Sequence, residues 1–70
     1  MKQSKEAGPH KRILRRAEVT MRTGLSNTSV YREIQAGRFP KPVALGRRAV
    51  GWIEGEVDAW LDARARARDE

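Results

Sequence analysis

The chain has 70 residues, a formal net charge of +6 at pH 7 and 39% apolar residues. A chain of this length forms at most one small domain, which buries only about 60% of the surface of its unfolded state. Cysteine is absent, which excludes disulfides and thiolate sites, and no apolar run approaches the roughly 20 residues of a membrane-spanning helix. The absence of cysteine agrees with the cytoplasm, where we expect the protein, and no apolar stretch of signal-peptide type is found at its N-terminus.

The charge is distributed unevenly. Residues 1–53 contain 12 lysines and arginines against three acidic residues, whereas residues 54–70 contain three arginines against six acidic residues. A basic body with an acidic last segment indicates that one face meets a polyanion while another element is turned away from it. The alternative is a soluble basic protein without such a partner.

The chain opens on a polar segment and two short elements. Residues 1–12 contain Gly8-Pro9 and no hydrophobic periodicity, which predicts a flexible basic arm. The arm could lie along DNA and add non-specific affinity, or it could be a solvated tail. Next come a short strand, Ile13-Leu14-Arg15, and a first helix over residues 16–23 with Val19 as its apolar anchor.

The most informative segment is the turn Thr23-Gly24-Leu25-Ser26 and the helix that follows it. Gly24 permits a positive φ after the first helix, and Ser26 is a favourable N-cap. The second helix is predicted from Asn27 to Ala36, and Gly37 ends it. This is the pattern of the turn and second helix of a helix-turn-helix.

The next segment, residues 38–42, contains two prolines that bar a helix. Phe39 within it is expected to fill the core beneath the second helix. Val43–Leu45 and Val50–Ile53 are predicted strands joined by a tight turn over residues 46–49. They form a hairpin with a basic tip, which we interpret as a wing.

The last helix is predicted from Glu54 to Arg66, because its apolar residues follow the i, i+3, i+4, i+7 spacing of one helical face. Residues 67–70 are expected to form a frayed tail. The folded part is therefore predicted to span residues 13–66. It is a small α+β domain, a winged helix-turn-helix of three helices with a two- or three-stranded antiparallel wing sheet.

An ordered set of short motifs covers about residues 13 to 64. It comprises Glu18-Val19, Thr23-Gly24-Leu25-Ser26, Val30-Tyr31-Arg32, Gly37-Arg38-Phe39-Pro40-Lys41-Pro42-Val43, Arg48-Ala49-Val50-Gly51-Trp52 and Glu56-Val57-Asp58-Ala59-Trp60-Leu61. In this order the motifs resemble those of the AlpA family, small regulators carried by prophages and mobile elements. The resemblance implies a winged helix-turn-helix of MerR and excisionase type that binds double-stranded DNA. Some relatives regulate transcription, and others help an integrase to excise an element.

The resemblance also implies roles for individual side chains. The second helix would enter the major groove, and the hairpin would reach the neighbouring backbone or minor groove. The residues so assigned are Asn27, Thr28, Ser29, Tyr31 and Arg32 on the helix, and Lys41, Arg47 and Arg48 on the hairpin. Two positions depart from the family: Asn27 replaces a common basic residue, and Gly55 replaces a hydroxyl-bearing residue, so the last helix is expected to be poorly capped.

On the second helix, the chemistry of the residues leaves alternatives open. Arg32 can form a two-pronged bond to guanine worth about 1–3 kcal/mol of discrimination, or it could be solvated or paired with Glu33 or with aspartates elsewhere. Thr28 and Ser29 let the helix N-terminus approach a phosphate, although Ser29 could instead complete the cap around Ser26. Tyr31 could point its hydroxyl at a phosphate or be half-buried structure.

On the hairpin, Arg47 and Arg48 could be solvated or could contact DNA. The aromatic side chains could stack on bases, but Trp52, Trp60 and Phe39 lie on apolar sides of their elements and are expected in the core.

No arrangement of residues points to catalysis. His10 stands alone and the acidic residues have no accompanying nucleophile, so no enzyme, cofactor or metal site is predicted. The leading hypothesis is a sequence-specific duplex DNA-binding protein that regulates transcription of a prophage or mobile element. The alternatives are an excision factor, and an adaptor or anti-repressor that binds an acidic protein. A single module offers a small interface, so useful affinity is expected to need cooperation. The resemblance to the AlpA family implies cooperative self-association on DNA, or action alongside an integrase or RNA polymerase.

Overall fold

A computed structural model describes residues 12–68. The elements are β1 (Ile13–Leu14), α1 (Arg16–Thr23), α2 (Asn27–Gln35), β2 (Val43–Ala44), β3 (Val50–Ile53) and α3 (Glu54–Ala67). The predicted basic arm therefore lies outside the described residues except for Arg12, as do residues 69–70 of the predicted tail. Three helices and a three-stranded antiparallel sheet confirm the predicted small α+β winged helix-turn-helix.

The sheet has the strand order β1-β3-β2, with β3 in the centre. β1 pairs with β3 so that Leu14 lies opposite Trp52, and β2 pairs with β3 so that Ala44 lies opposite Val50. The hairpin tip is closed by the backbone N–H of Leu45, which donates to the carbonyl of Ala49 at 2.7 Å. The wing is thus a hairpin anchored to the domain by a third strand, which settles the open choice between two and three strands.

The core takes one or more side chains from every element except β2. Its fully buried members are Leu14, Val19, Val30, Trp52 and Val57, and Phe39 is 4% exposed. Trp60 is only partly buried and packs at the edge of this cluster, with its ring centroid 4.9 Å from that of Phe39. The prediction of three core aromatic residues is confirmed for Trp52 and Phe39, whereas Trp60 lies at the margin.

Local backbone signals set the helix ends. Gly24 and Gly37 both adopt a φ of 78°, the left-handed conformation that glycine tolerates without steric cost. Ser26 caps α2, because its Oγ accepts the backbone N–H of Ser29 at 3.1 Å. α2 ends at Gln35, one residue earlier than predicted. α3 begins without a side-chain cap, as expected, and the reason is that its N-cap residue is the apolar Ile53.

Both indole N–H groups hold the proline-rich segment that leads into the wing. Trp52 Nε1 donates to the carbonyl of Pro40 at 3.0 Å, and Trp60 Nε1 donates to the carbonyl of Arg38 at 2.7 Å. Since proline has no backbone N–H, this segment cannot pair fully as a strand. The tryptophans therefore fix the segment that carries Lys41.

Gly51 marks a close approach within the sheet. A Cβ at this position would overlap Ile13 Cγ2 and would lie 3.1 Å from both the Leu14 carbonyl oxygen and Leu45 Cδ1. We expect Gly51→Ala to lower the free energy of unfolding by about 1–3 kcal/mol, the usual cost of overpacking. Urea denaturation followed by circular dichroism measures this change.

Gly46→Ala in the hairpin tip is the matched control, because nothing lies within 4 Å of a Cβ there. It should change stability by no more than about 0.5 kcal/mol. Equal stability of the two variants would contradict the close packing of β1 on β3.

Candidate nucleic-acid interface

α2 buries one side and exposes the other. Val30 is fully buried and Ile34 packs against the core, whereas Asn27, Thr28 and Arg32 are exposed. With 3.6 residues per turn, side chains on the solvent side of such a helix form a continuous polar ridge. The structure therefore brings three of the five predicted α2 residues to one outward surface.

The other two residues predicted on α2 are partly engaged in the fold. Tyr31 is half-buried, and its ring meets that of Trp52 edge-on at a centroid distance of 6.3 Å. Ser29 takes part in the N-cap, since the Ser26 and Ser29 hydroxyls are 3.1 Å apart. The capping alternative for Ser29 and the half-buried alternative for Tyr31 are confirmed, and their contacts with DNA stay predictions.

Arg32 does not pair with Glu33. Both carboxylate oxygens of Glu33 instead accept hydrogen bonds from Arg38, at 2.8 Å from Nε and 3.2 Å from the second terminal nitrogen. Within residues 12–68, Arg32 forms no ion pair. Its guanidinium group is therefore available at the exposed side of α2.

Glu33 is the single acidic residue of α2, and Arg38 neutralises it. The hydrogen bond from Arg38 holds the pKa of Glu33 below its ordinary value near 4.5, against the opposing effect of desolvation. A bare carboxylate on this helix would repel a polyanion. The pair thus removes the main electrostatic obstacle to an anionic ligand at α2.

The lowered pKa of Glu33 predicts a pH dependence of stability. Because the folded-state pKa lies below the unfolded one, ionised Glu33 stabilises the fold above about pH 4.5, and this contribution is lost as the pH falls through the folded-state pKa. We expect Glu33→Gln to be less stable than the wild type at pH 7 and to approach it in strong acid. Thermal unfolding from about pH 7 to pH 2.5 tests this, with the exposed Asp62→Asn as control. A constant difference at all pH values would contradict the pairing.

The wing presents three exposed cations. Lys41, Arg47 and Arg48 are all exposed, and no carboxylate within residues 12–68 pairs with them. Lys41 sits in the segment held by the two indoles, and the arginines lie at the closed tip of the hairpin. The structure therefore displays their charges unneutralised, while their ligand stays a prediction.

Two acidic residues near the start of α3 form ion pairs within the domain. Arg22 of α1 contacts Glu54 at 3.1 Å and Asp58 at 3.0 Å. At the other end of the helix, Arg64 stacks over the ring of Trp60, 5.5 Å from its centroid. Arg22 therefore joins α3 to α1 and pairs with two of the acidic residues of the last segment.

Sequence reasoning missed two arginines at the start of α1. Arg15 and Arg16 line an open groove of about 310 Å³ together with Ala17, Arg48 and Val50. The antiparallel pairing of Leu14 with Trp52 brings the start of α1 beside the start of β3. Only knowledge that β1 joins the sheet would have revealed this proximity.

Within the described range, no helix has the length and apolar content to cross a bilayer. No group of three or more histidine, aspartate and glutamate side chains suited to a metal ion occurs in residues 12–68.

Residues 12–65 match the family of the prophage CP4-57 regulatory protein AlpA. The chain belongs to the AlpA family. It is 42% identical over 57 residues to a protein of Enterobacteria phage P4, ORF88; the alignment covers 81% of this chain and 65% of that protein. It is 38% identical over 61 residues to the DNA-binding transcriptional activator AlpA of Escherichia coli strain K12, covering 79% of this chain and 87% of that protein.

The AlpA match extends over nearly all of the described structure. It begins just before β1 and ends within α3, so it includes both α2 and the wing. The resemblance drawn from the sequence motifs is confirmed.

Proposed function

We propose that this AlpA-family protein binds double-stranded DNA in a sequence-specific manner and regulates transcription of a prophage or mobile element. The observation that carries the proposal is the unpaired Arg32 on the exposed ridge of α2, on a helix whose acidic residue is neutralised by Arg38. The relative from Escherichia coli is a DNA-binding transcriptional activator by name, which supports the same function.

In the proposed complex, α2 lies in the major groove. Arg32 donates two hydrogen bonds to guanine, and the Asn27 amide reads an adenine edge. Thr28, Ser29 and the hydroxyl of Tyr31 contact phosphates near the helix N-terminus. These contacts set the register of the protein on the duplex and its preference for one sequence.

The wing supplies affinity without sequence information. Lys41, Arg47 and Arg48 contact phosphates of the neighbouring backbone, and counterion release makes this part of the binding strongly salt-dependent. Because one small module buries a limited interface, we propose that a second copy, an integrase or RNA polymerase adds the remaining affinity. The protein would act in the cytoplasm, where the DNA is, and without catalytic activity.

An excision factor is the second candidate, because it would use the same DNA-binding domain at a site beside an integrase. An integrase gene adjacent to this one, and excision that depends on this protein, would favour it. An adaptor that holds an acidic protein is the third, since exposed arginines and lysine would also bind carboxylates.

Fluorescence anisotropy with a labelled duplex, the matching single strand and polyglutamate separates duplex DNA binding from the adaptor. We expect the duplex to bind most tightly, with a log–log salt slope of about −0.9 per phosphate contacted. Tighter binding of polyglutamate than of the duplex at equal salt would favour the adaptor and contradict the proposal.

Replacement of both hairpin arginines tests the wing. Arg47→Ala combined with Arg48→Ala should weaken binding to every duplex and lower the magnitude of the salt slope by about 0.9 for each phosphate that the variant no longer neutralises. Arg66→Ala, which removes a cation from the last turn of α3, is the control. A slope unchanged from wild type would remove the wing from the interface.

A further inference from the structure

We propose that Arg15, Arg16 and Arg48 form one binding site for a single phosphate of the DNA backbone, distinct from the ridge of α2. The proposal rests on the proposed function, and it assigns a role to two arginines at the start of α1 for which the sequence motifs predicted none.

The sheet brings the three arginines to one groove. Arg15 and Arg16 stand where β1 ends and α1 begins, and Arg48 lies in the tip two residues before β3. Since Leu14 pairs with Trp52 in an antiparallel register, the chain leaves β1 at the same end at which it enters β3. Residues more than 30 positions apart in the chain therefore line one groove.

The groove is basic and open. It has a volume of about 310 Å³, and its lining consists of the three arginines, Ala17 and Val50. All five residues are exposed, and no carboxylate within residues 12–68 forms an ion pair with these arginines. The acidic residue of the first turn of α1, Glu18, directs its carboxylate to the backbone N–H of Arg15 at 3.0 Å and does not line the groove.

Three arginines that line one groove and form no ion pair within residues 12–68 favour a compact, highly charged anion. The planar guanidinium donates two parallel hydrogen bonds to adjacent phosphate oxygens. Because the groove is open at the surface, a phosphodiester within a continuous strand can enter it without a free end. A single phosphate bound by all three arginines also offsets the repulsion between their like charges. If the arginines were solvated separately, only screening would reduce this repulsion.

The salt dependence of binding distinguishes one shared phosphate from three separate ones. Counterion release depends on the number of phosphates neutralised, so the triple variant R15Q/R16Q/R48Q should lower the slope magnitude by about 0.9. Three independent contacts would lower it by about 2.7, a result that would overturn the shared site. Each single variant should weaken binding to all duplexes by roughly three- to tenfold, and the effects should combine less than additively.

Arg66→Gln is the matched single-charge control, and Arg→Lys at all three positions is the charge-preserving variant. The lysine variant should keep most of the salt slope of the wild type but bind the duplex more weakly, because lysine cannot form the bidentate hydrogen bonds of a guanidinium group. All of these positions are exposed, so the circular dichroism spectrum of each variant should match that of the wild type. This comparison checks that the variants are folded.

The outcomes separate this site from the function on which it rests. If the wild type binds duplex DNA and the triple variant shows the same slope and affinity as Arg66→Gln, the shared phosphate site and the phosphate contact of Arg48 are wrong, while sequence-specific duplex binding through α2 stands. If the wild type binds no duplex, both are wrong. In a further test, the phosphates of the duplex are replaced one at a time by a neutral methylphosphonate. At one linkage, this replacement should weaken binding of the wild type and leave binding of the triple variant unchanged.

Discussion

Trp52→Ala is expected to remove a large part of the free energy of unfolding of the protein. Trp52 is fully buried in the central strand, and its indole N–H satisfies the Pro40 carbonyl at 3.0 Å. Truncation of a buried aromatic side chain costs about 3–5 kcal/mol, whereas a domain of this size has a total stability of only roughly 4–10 kcal/mol. Urea denaturation and the temperature of half-unfolding by circular dichroism measure the destabilisation.

Two controls locate the origin of this effect. Trp60→Ala removes a similar ring at the edge of the core, where part of it is already exposed, and should cost clearly less. Trp52→Phe keeps most of the apolar surface but leaves the Pro40 carbonyl without its donor, a cost of about 1–3 kcal/mol. Equal destabilisation by Trp52→Ala and Trp60→Ala would contradict the central position of Trp52.

Arg32→Ala is expected to abolish most of the discrimination between the preferred duplex and an unrelated one. Removal of a bidentate bond to guanine corresponds to about 1–3 kcal/mol, or roughly a five- to 150-fold lower specificity ratio. Binding to unrelated duplexes should change much less, because phosphate contacts dominate it. The ratio of the two dissociation constants at a single salt concentration is the measurement.

The stability of the Arg32 variant decides between a binding role and a structural role. Arg32 is exposed and forms no ion pair within residues 12–68, so the temperature of half-unfolding should be nearly unchanged. Arg66→Ala removes the same charge from α3 and should leave the specificity ratio intact. A large drop in thermal stability with Arg32→Ala would mean that the side chain supports the fold.

The helix boundaries were predictable because their causes are local. Gly24, Ser26 and Gly37 act on neighbouring backbone groups, and such signals can be read within a few residues of sequence. The third strand and the marginal position of Trp60 depend instead on contacts between distant segments. The hydrogen bonds from both indoles to the proline-rich segment are of the same kind, and no local pattern specifies them.

The candidate site likewise has one part that local sequence predicts and another that depends on contacts between distant segments. The exposure of Arg32 follows from the helical period around Val30, and adjacent residues of a helix do not face each other, which disfavours a pair with Glu33. The partner of Glu33 is Arg38, and it comes within reach because the chain turns at Gly37. The groove of Arg15, Arg16 and Arg48 requires the sheet register, so it emerges only from the fold.

A selection of bound sequences from random duplexes at about 150 mM salt, where the screening length is about 8 Å, tests sequence-specific recognition by α2 most directly. We expect enrichment of a short motif that contains guanine, and disappearance of the preference for that guanine with Arg32→Ala. Enrichment of direct or inverted copies would also give the spacing of neighbouring molecules. Absence of any enriched motif, together with binding that disappears as salt rises, would contradict a base-reading role for α2.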